Sequence, residues 1–358
     1  MPVVSESDTD DDESTHSTQP NVFQWGWIHT TDGDSPLFQE IAECLVDDWK
    51  AIQYWVNVGC LFVPHNCPLC GGAVSYATKY NPNNPKHKPL PSACFTFRCH
   101  QVQCTPPVPR WQRSIFYQTY FHGARMKKGA IFHFLYLWAQ RSTNKMMIQQ
   151  IGWSPNTVVD WKTYTRDLCA VAMKHCNYAI GGPGIEVQID ESKFGKRKYN
   201  KGRRIEGCWV FGGIERIWNG NRWVAGRFFA VPVSSRDRST LWPIIQKYIR
   251  PGSRIISDMW KAYEGLQGYN AYDHATVNHS VTYVDSETGV HTNLIESLWG
   301  TLKRWIPVTC YNMEDLPDYF AEETWRWMHK GRVWDALMEM IAQVKYDACE
   351  RVFTVDVD

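Results

Sequence analysis

The amino-acid sequence predicts a mixed α/β protein in which helices flank a β-sheet. Residues 129–178 have helical periodicity, interrupted at GWSPN, whereas short β-rich runs begin after Gly184. Those runs are IEVQID, CWVFGGIE, RWVAGRFFAVPV and SRIISD, with the helical segment STLWPIIQKYI before the last of them. Further helical patterns extend to Val344. We therefore expect a sheet flanked by helices in the second half of the chain, preceded by smaller elements.

The charge of the chain is distributed unevenly. The 358 residues carry a net charge of +1, but residues 1–18 hold six acidic side chains and no Lys or Arg. The remainder therefore has 38 basic against 31 acidic residues. An acidic, Ser/Thr-rich start without aromatic residues cannot bury enough apolar surface to fold. We expect residues 1–20 to be a disordered tail and residues 21–60 to be an N-terminal helical segment.

Composition argues against a membrane protein and against a secreted one. No hydrophobic run approaches the 18 or more residues of a membrane span, and the N-terminus lacks a signal-peptide pattern. Twelve cysteines without a secretory signal are typical of a reducing compartment. The sequence predicts an intracellular protein whose thiols are buried or bound to metal, and most of its 18 tryptophans are expected to fill cores.

Residues 61–110 predict a zinc-ribbon-like segment. CPLCGG is a tight turn that aims two thiolates at one metal ion, and a second cysteine pair follows the strand-like FTFR. Four thiolates in two such turns bind Zn²⁺ tetrahedrally. Four residues separate the second pair, so Cys94 or His100 could replace a ligand, and unligated core cysteines are the alternative. The candidate ligands are Cys67, Cys70, Cys99 and Cys104.

Residues 125–180 predict a helix-turn-helix. In the segment TNKMMIQQIGWSPNTVVDWKTYTRDL, Gly152 ends one helix, and Ser154 with Pro155 provides the turn and cap of the next. The exposed side of the second helix could face a DNA groove, as recognition helices do. An ordinary pair of packed helices explains the pattern equally well. The residues predicted to be exposed there are Asn156, Thr157, Asp160, Lys162 and Arg166.

Three acids stand at positions that suit a metal site. Asp190 ends IEVQID, Asp258 ends RIISD, and Glu296 lies on a predicted helix 38 residues further on. Hard cations such as Mg²⁺ prefer oxygen ligands, and two of them can activate a water or a 3′-hydroxyl for phosphodiester displacement. We therefore predict that the three carboxylates bind two Mg²⁺ or Mn²⁺ ions. Either aspartate alone could equally be an ordinary turn residue.

The stretch HTNLIESLWGTLKRW, residues 291–305, predicts an amphipathic helix. Glu296 and Lys303 lie two turns apart off its apolar face, so a phosphate crossing between them would meet metal ions at one end and an ammonium at the other. The alternatives are that Glu296 is the capping-box partner of Asn293 and that Lys303 is a solvated charge. The buried stripe is predicted to comprise Ile295, Leu298, Trp299, Leu302, Trp305 and Ile306.

A basic run, KFGKRKYNKGRR at residues 193–204, follows the first acid and precedes the strand CWVFGG. It should form a hairpin rim beside the carboxylates, where its charge suits a polyanionic substrate. A solvated loop and a nuclear-localisation signal are the alternatives. Its basic residues are Lys193, Lys196, Arg197, Lys198, Lys201, Arg203 and Arg204.

Three blocks together resemble a known family. They are VQIDESKFGKRKYNKGRRIEGCWVFGGIER, IISDMWKAY and VNHSVTYVDSETGVHTNLIESLWGTLKR, and they resemble the IS1595/ISXO2-like DDE transposases, most closely the Merlin transposases of animals. The resemblance implies an RNase H-like catalytic domain over residues 184–350, preceded by a zinc ribbon and a helix-turn-helix. It also implies that Asp190, Asp258 and Glu296 are the metal-binding triad and that Lys303 is the basic residue following it.

The resemblance further implies a DNA transposase that cleaves transposon ends and transfers them into target DNA. Its expected cofactors are Mg²⁺ or Mn²⁺ and structural Zn²⁺, and its expected partners are the terminal inverted repeats, target DNA and further copies of itself, in the nucleus. His279, His291 and Asn293 lie in the words VNHS and HTN and are expected to support the metal site. The alternatives are a domesticated DNA-binding protein without transposition activity and a structure-selective nuclease of the same fold.

Overall fold

A computed structural model gives the fold of the protein. The structure describes residues 38–76, 96–99, 101, 111–176, 178–195, 207–258, 261–263, 265–266, 271–277, 292–347, 350 and 352–355. The predicted acidic tail, residues 1–20, lies outside the described residues, and so does the part of the basic run that follows Gly195.

Two helices open the described chain, α1 (Phe38–Val46) and α2 (Asp48–Asn57), within the segment predicted to be helical. Asp47 separates them and caps the second one. Its carboxylate accepts hydrogen bonds from the backbone N–H groups of Trp49 and Lys50, at 2.7 and 3.2 Å. An aspartate at this position satisfies N–H groups that a helix start leaves without a partner.

The cysteine-rich segment forms a small antiparallel sheet of three strands. They are β1 (Val74–Tyr76), β2 (Thr96–Cys99) and β3 (Gln112–Ser114), in the order β1-β2-β3. Strand β2 carries the sequence TFRC, so the strand expected at FTFR is present.

Three helices follow, α3 (Lys128–Ala139), α4 (Asn144–Ile151) and α5 (Pro155–His175). Residues 129–178 are therefore interrupted twice, whereas the sequence predicted one break, at GWSPN. The additional break follows α3, where Arg141 takes a positive φ of 56°. Thr143 then caps α4 by accepting a hydrogen bond from the N–H of Met146. The chain therefore reverses after α3 and a new cap begins α4. The helical run is interrupted here although its residues favour a helix.

The largest sheet is mixed and has the strand order β10-β9-β5-β6-β7. Strands β10, β9 and β5 run parallel, whereas β6 is antiparallel to both of its neighbours. Strands β4 and β8 form a separate short parallel pair. The strands are β4 (Ile180–Gly181), β5 (Glu186–Phe194), β6 (Cys208–Trp218), β7 (Trp223–Val233), β8 (Ile249–Arg250), β9 (Arg254–Asp258) and β10 (Asp273–Val277).

Helices cover both faces of this sheet, so the predicted mixed sheet flanked by helices is confirmed. Helix α6 (Arg238–Tyr248) packs on one face, where Leu241 joins a core with Ile189 and Phe211. Helices α7 (Asn293–Trp305) and α8 (Leu316–Met328) pack on the other. Helix α9 (Val333–Gln343) and the antiparallel pair β11 (Val344–Asp347) and β12 (Val352–Val355) complete the described chain.

Helix α7 buries most of its predicted apolar stripe. Ile295, Leu298, Trp299, Leu302 and Ile306 are at most 5% exposed, whereas Trp305 is 44% exposed. The prediction that Trp305 is buried is therefore wrong. Trp305 is the last residue of the helix, and the guanidinium of Arg141 lies 4.7 Å from the centroid of its ring.

A second core joins helices α1 to α5 with α8 and α9. Four tryptophans that are no more than 1% exposed, Trp55, Trp138, Trp325 and Trp334, fill it, as expected for a chain rich in this residue. Among the described residues, no helix has the length and apolar character that a membrane span requires.

Helix α8 connects this helical core to the mixed sheet. Its Glu322 carboxylate accepts hydrogen bonds from Arg166 of α5 and from Arg326, at 3.1 and 2.9 Å. Its Glu323 binds the guanidinium of Arg141 through two bonds, at 2.8 and 2.7 Å. On its other side, the indole N–H of Trp327 donates to a backbone carbonyl of β7.

Two glycines near α7 differ in the space around them. Gly212 of β6 lies opposite Asp190 of β5. A Cβ atom there would lie 2.6 Å from the Trp299 ring and 2.7 Å from the Phe229 carbonyl oxygen. At Gly300, on the open side of α7, an added Cβ would meet nothing within 4 Å.

We therefore expect alanine to have opposite effects at these two positions. Gly212→Ala should lower the free energy of unfolding by about 1–3 kcal/mol, because the methyl group forces Trp299 or the backbone to move. Gly300→Ala should raise it by about 0.5–1 kcal/mol, because alanine has the higher helix propensity. Urea unfolding measures both values. A neutral Gly212→Ala would contradict this packing of α7 on β6.

Candidate active site

Strand β5 caps the helix that carries the third predicted acid. Gln188 is fully buried, and its side-chain oxygen accepts hydrogen bonds from the backbone N–H groups of Leu294 and Ile295, at 3.0 and 3.2 Å. These groups belong to the first turn of α7, where a helix leaves its N–H groups without partners. Thr292 is the N-cap residue and Asn293 the first helical residue. The capping-box alternative, which requires Asn293 at the N-cap, is therefore wrong.

Two further hydrogen bonds join the same face of β5 to later turns of α7. Asp190 accepts from the indole N–H of Trp299 at 2.9 Å, and Ser192 accepts from the ammonium of Lys303 at 2.7 Å. Residues 188, 190 and 192 point to one face of the strand because side chains alternate along it. The strand thus contacts three successive turns of the helix, and this alternation was the signal in the sequence that could have identified Gln188 and Ser192.

The two aspartates lie on neighbouring strands. Asp258 ends β9, as predicted, but Asp190 is the fifth of nine residues in β5 rather than its last. Strand β5 continues past Asp190 because β6 pairs with it as far as Phe194. Strands β5 and β9 pair in parallel as far as Gln188 and Ile256. If the same register is continued for two residues along both strands, Asp190 lies level with Asp258.

Electrostatics links all three predicted acids. The pKa of the Asp190 carboxyl is raised to about 6, chiefly by burial; the N–H groups of Trp299 and Glu191 lower it, and the carboxylates of Asp258 and Glu296 raise it. A like charge raises a pKa only when it is close. The structure therefore places the carboxylates of Asp258 and Glu296 within electrostatic reach of Asp190. Glu296 itself is exposed, on the open side of α7.

A fourth carboxylate beside this group was missed by the sequence analysis. Glu191 follows Asp190 and points to the other face of β5, where its carboxylate accepts a hydrogen bond from the hydroxyl of Tyr263. The pKa of Glu191 is raised to about 7, chiefly by burial; the Tyr263 hydroxyl lowers it, and the charges of Asp190 and Asp258 raise it. The Asp-Glu pair in the printed sequence is the only sign of it.

Lys303 lies within electrostatic reach of Asp190. Besides its bond to Ser192, its ammonium lies 5.0 Å from the centroid of the Phe194 ring. Burial lowers the pKa of Lys303, whereas the nearby Asp190 raises it. Lys193, the first residue of the basic run, lies over the ring of Trp209 at 5.5 Å.

Several predicted site residues lie outside the described residues, and their predicted roles stay predictions. Strands β5 and β6 pair as a hairpin, so the basic run connects them as expected. The residues outside the described part are His279, His291, Lys196, Arg197, Lys198, Lys201, Arg203, Arg204, Cys94, His100 and Cys104.

Three of the four predicted zinc ligands cluster. The sulfur atoms of Cys67, Cys70 and Cys99 all lie within 4.8 Å of one another, and those of Cys70 and Cys99 are 3.6 Å apart. Backbone hydrogen bonds from Gly71 to the Cys67 carbonyl and from Cys67 to the Gly72 carbonyl, both 2.8 Å, close the turn. Zn–S bonds of about 2.3 Å in a tetrahedron place sulfur atoms about 3.8 Å apart, so the cluster fits zinc.

Helices α4 and α5 are joined by the short turn that the sequence predicted. Gly152 takes a positive φ of 78° at the end of α4, and the Ser154 hydroxyl caps α5 with Pro155 in its first turn. Helix α5 turns two different sides away from its buried stripe. One carries Asn156 and Asp160, which are exposed.

The other side of α5 faces α8. Arg166 is only 7% exposed and is paired with Glu322, so the prediction that Arg166 is exposed is wrong. Lys162 is half-buried on the same side and donates a hydrogen bond to Asn144 of α4. The hydroxyl of Thr157 is hydrogen-bonded to that of Ser154, at the cap of α5.

Fold and site together define a mixed α/β domain in which carboxylates lie on two neighbouring inner strands of the sheet and on a helix that packs against them. Residues 181–328 match the family model of the ISXO2-like transposase domain. The match begins in β4 and ends with α8, so it includes the five-stranded sheet and the three acids. No curated protein matches the chain significantly. The similarity indicates a transposase domain in this part of the chain.

The raised pKa values of the site predict a pH dependence of stability. Asp190 and Glu191 bind a proton more tightly in the folded protein than in the unfolded chain, where their pKa values are the ordinary 3.8 and 4.5. Their contribution to stability is present at low pH and is lost as pH rises through about 6 and about 7. Urea unfolding without added Mg²⁺ should therefore show a free energy of unfolding that declines as pH rises from the ordinary pKa values of these groups to about 7. In the double variant Asp190→Asn, Glu191→Gln the decline should be smaller; an identical decline in both proteins would contradict the burial of these carboxyls.

Proposed function

We propose that the protein is a DNA transposase that cleaves transposon ends and transfers the freed 3′ ends into target DNA. The observation that carries the proposal is that Asp190 and Asp258 lie level on two parallel strands and that α7, which carries Glu296, is hydrogen-bonded along the first of these strands, inside the segment similar to the ISXO2-like transposase domain. We further infer an RNase H-like fold from the strand order of the mixed sheet, in which β6 runs opposite to the other four strands.

The three carboxylates are proposed to hold two Mg²⁺ or Mn²⁺ ions. Their chemistry suits the role, because the donors are carboxylate oxygens and their mutual repulsion is relieved by a cation. When bound, such ions activate the attacking oxygen and stabilise the leaving oxygen. Trp299 holds one oxygen of Asp190 and thereby orients the carboxylate. Lys303 holds a phosphate of the DNA strand beside the acids.

The remaining assignments extend this proposal. The basic run from Lys193 onward and the exposed start of α5, with Asn156 and Thr157, contact DNA. Asn293, at the first position of α7, supports the metal site. A dimer or larger assembly follows from the need to process two transposon ends together, and the nucleus follows from the substrate. The likeness to Merlin transposases of animals stays a prediction.

A domesticated DNA-binding protein without transposition activity is the alternative proposal. It shares the DNA-binding assignments and differs only at the carboxylate site, because such a protein has no need for a cluster of acids there. Genomic context discriminates the two: near-identical copies flanked by inverted repeats favour a mobile element.

The cleavage test compares triad variants on labelled transposon-end DNA with Mg²⁺. Asp190→Asn, Asp258→Asn and Glu296→Gln should each reduce cleavage by more than about 100-fold, because residues that merely support a metal ligand already cost 10–100-fold. DNA binding, measured by fluorescence anisotropy, should be retained. Strand transfer, measured on target plasmid, should be lost in parallel.

The matched control for this test is Asp273→Asn. Asp273 is an exposed acid at the start of β10, paired with Arg254. Removing its charge should leave cleavage within about twofold of the parent, since exposed ion pairs contribute less than about 1 kcal/mol. Triad variants that cleave like this control would refute the catalytic assignment. Cleavage without strand transfer in the parent would instead identify a nuclease.

We also propose that Cys67, Cys70 and Cys99 bind structural Zn²⁺, with a fourth ligand predicted at Cys104. Support comes from the 3.6 Å separation of two of the sulfur atoms and from the closed CPLCGG turn.

The purified protein should contain one zinc ion per chain by elemental analysis. Cys70→Ser should lower this content and increase proteolysis between β1 and β3, since a small metal-bound segment loses its folding energy with the ion. Cys176→Ser, at an isolated half-buried cysteine, is the control. An unchanged zinc content in Cys70→Ser would refute the site.

A further inference from the structure

A cleft separates α5 from the segment that joins α7 to α8. Its volume is about 360 Å³, and helices α4 and α5 form one wall while the end of α7 and helix α8 form the other. Trp305 and Arg141 stand at its edge and also line a second cavity of about 440 Å³ beside it. The cleft lies on the flank of α7 opposite to Glu296, because positions 296 and 305 are about 180° apart around a helix. It is therefore distinct from the carboxylate site.

The charges lining the cleft do not balance. Its cations are Arg141, Lys162, Arg166 and Arg326, whereas its anions are Glu322 and Glu323. The three arginines are paired with these two glutamates. Within the described part of the chain, the ammonium of Lys162 has no carboxylate at ion-pair distance, and it donates to the side-chain oxygen of Asn144 at 2.9 Å. The cleft thus has an excess of positive charge.

The surroundings of Lys162 support the same conclusion. Burial lowers the pKa of Lys162, and the guanidinium groups of Arg326, Arg166 and Arg141 lower it further, against the effect of Glu322. An anion bound nearby stabilises the charged form of a half-buried lysine that has other positive charges around it. The polar groups of Ser142 and Thr309 also line the cleft, and they suit a ligand with several oxygen atoms.

The position of the cleft beside α5 identifies the kind of anion. Asn156 and Asp160 lie on the exposed side of α5, whereas Thr163, Val159 and Lys162 lie about 40–140° around the helix, on the side that lines the cleft. A helix that enters the major groove, which is about 12 Å wide, has a sugar-phosphate backbone along each side. The backbone on the α8 side would then run over the cleft.

We propose that this cleft binds the phosphodiester backbone of DNA, with Lys162 contacting a phosphate and the exposed Trp305 lying against the sugar-phosphate chain. The inference rests on the proposed function in that α5 meets DNA. Phosphate contacts of this kind set the position of a protein on the duplex and carry no sequence information. The cleft therefore orients the DNA between α5 and the mixed sheet.

The test measures how salt weakens the binding of the full chain to a fluorescent DNA duplex of random sequence. Loss of one phosphate contact lowers the slope of log affinity against log salt by about 0.9. Lys162→Gln should show this loss and bind about fivefold more weakly near 0.15 M salt. Lys162→Arg should retain the parental slope. Trp305→Gln should weaken binding without changing the slope, because it removes no charge.

The matched control is Lys174→Gln, which removes the same charge from the exposed last turn of α5, three turns from Lys162. It should bind DNA with the parental slope. A parental slope in Lys162→Gln as well would overturn the proposal, and so would equal losses in both variants. The triad variants tested for cleavage retain Lys162, so a failure at the cleft leaves the catalytic proposal intact, and the reverse holds too.

A second measurement needs no substitution. An amine-acetylating reagent modifies lysines that solvent reaches, which include the half-buried Lys162, and mass spectrometry reports the extent of modification at each position. DNA should protect Lys162 several-fold and leave Lys174 unprotected. Equal modification of Lys162 with and without DNA overturns the proposal even where Lys162→Gln does not fold.

Discussion

The contact of α7 with β5 is the constraint on which the candidate active site depends. Two residues of a strand rise about 6.7 Å, and four residues of a helix rise about 6 Å. Because these repeats nearly match, residues 188, 190 and 192 of the strand can each bind a successive turn of the helix. The helix cannot slide along the strand without breaking all three contacts, so the position of Glu296 relative to Asp190 is determined by this register.

The packing around this contact leaves little freedom. Gly212 lies beneath the Trp299 ring, where a Cβ atom would be only 2.6 Å away. The indole can therefore approach β5 closely enough to donate to Asp190. Gln188 completes the arrangement by occupying the first N–H groups of α7 from inside the sheet. A buried amide, an indole and a glycine thus hold two acids of different elements together, although none of the three bears charge.

Helix α8 makes the corresponding connection to the helical half of the protein. Glu322 and its two arginines are nearly buried, and such networks add little net stability although removing one member is costly. The pairing draws Arg166 away from the exposed side of α5 and leaves Lys162 without a carboxylate at ion-pair distance among the described residues. One ion-pair network therefore both joins the two halves and gives the cleft its charge.

Much of this arrangement could be predicted from local patterns. Alternating and continuous apolar runs identified strands β5, β6, β7 and β9, and glycine and serine identified the turn between α4 and α5. The acids were found because each followed or lay on such an element. The wrong predictions share one physical cause. The exposure of Trp305, the burial of Arg166 and the position of the cap of α7 are each decided by contacts with another element. The sequence of one segment does not contain that information.

By itself, the sequence determined which segments form helices and strands, that three acids would accompany the sheet, and that cysteines would gather at CPLCGG. Periodicity and turn chemistry act over a few residues, so they can be recognised in the printed chain. Tertiary structure decided that β5 extends past Asp190, that Gln188 caps α7 from 106 residues away, and which cations of α5 are paired. Those outcomes depend on hydrogen bonds and ion pairs between distant residues, and these bonds form only when the sheet and helices pack.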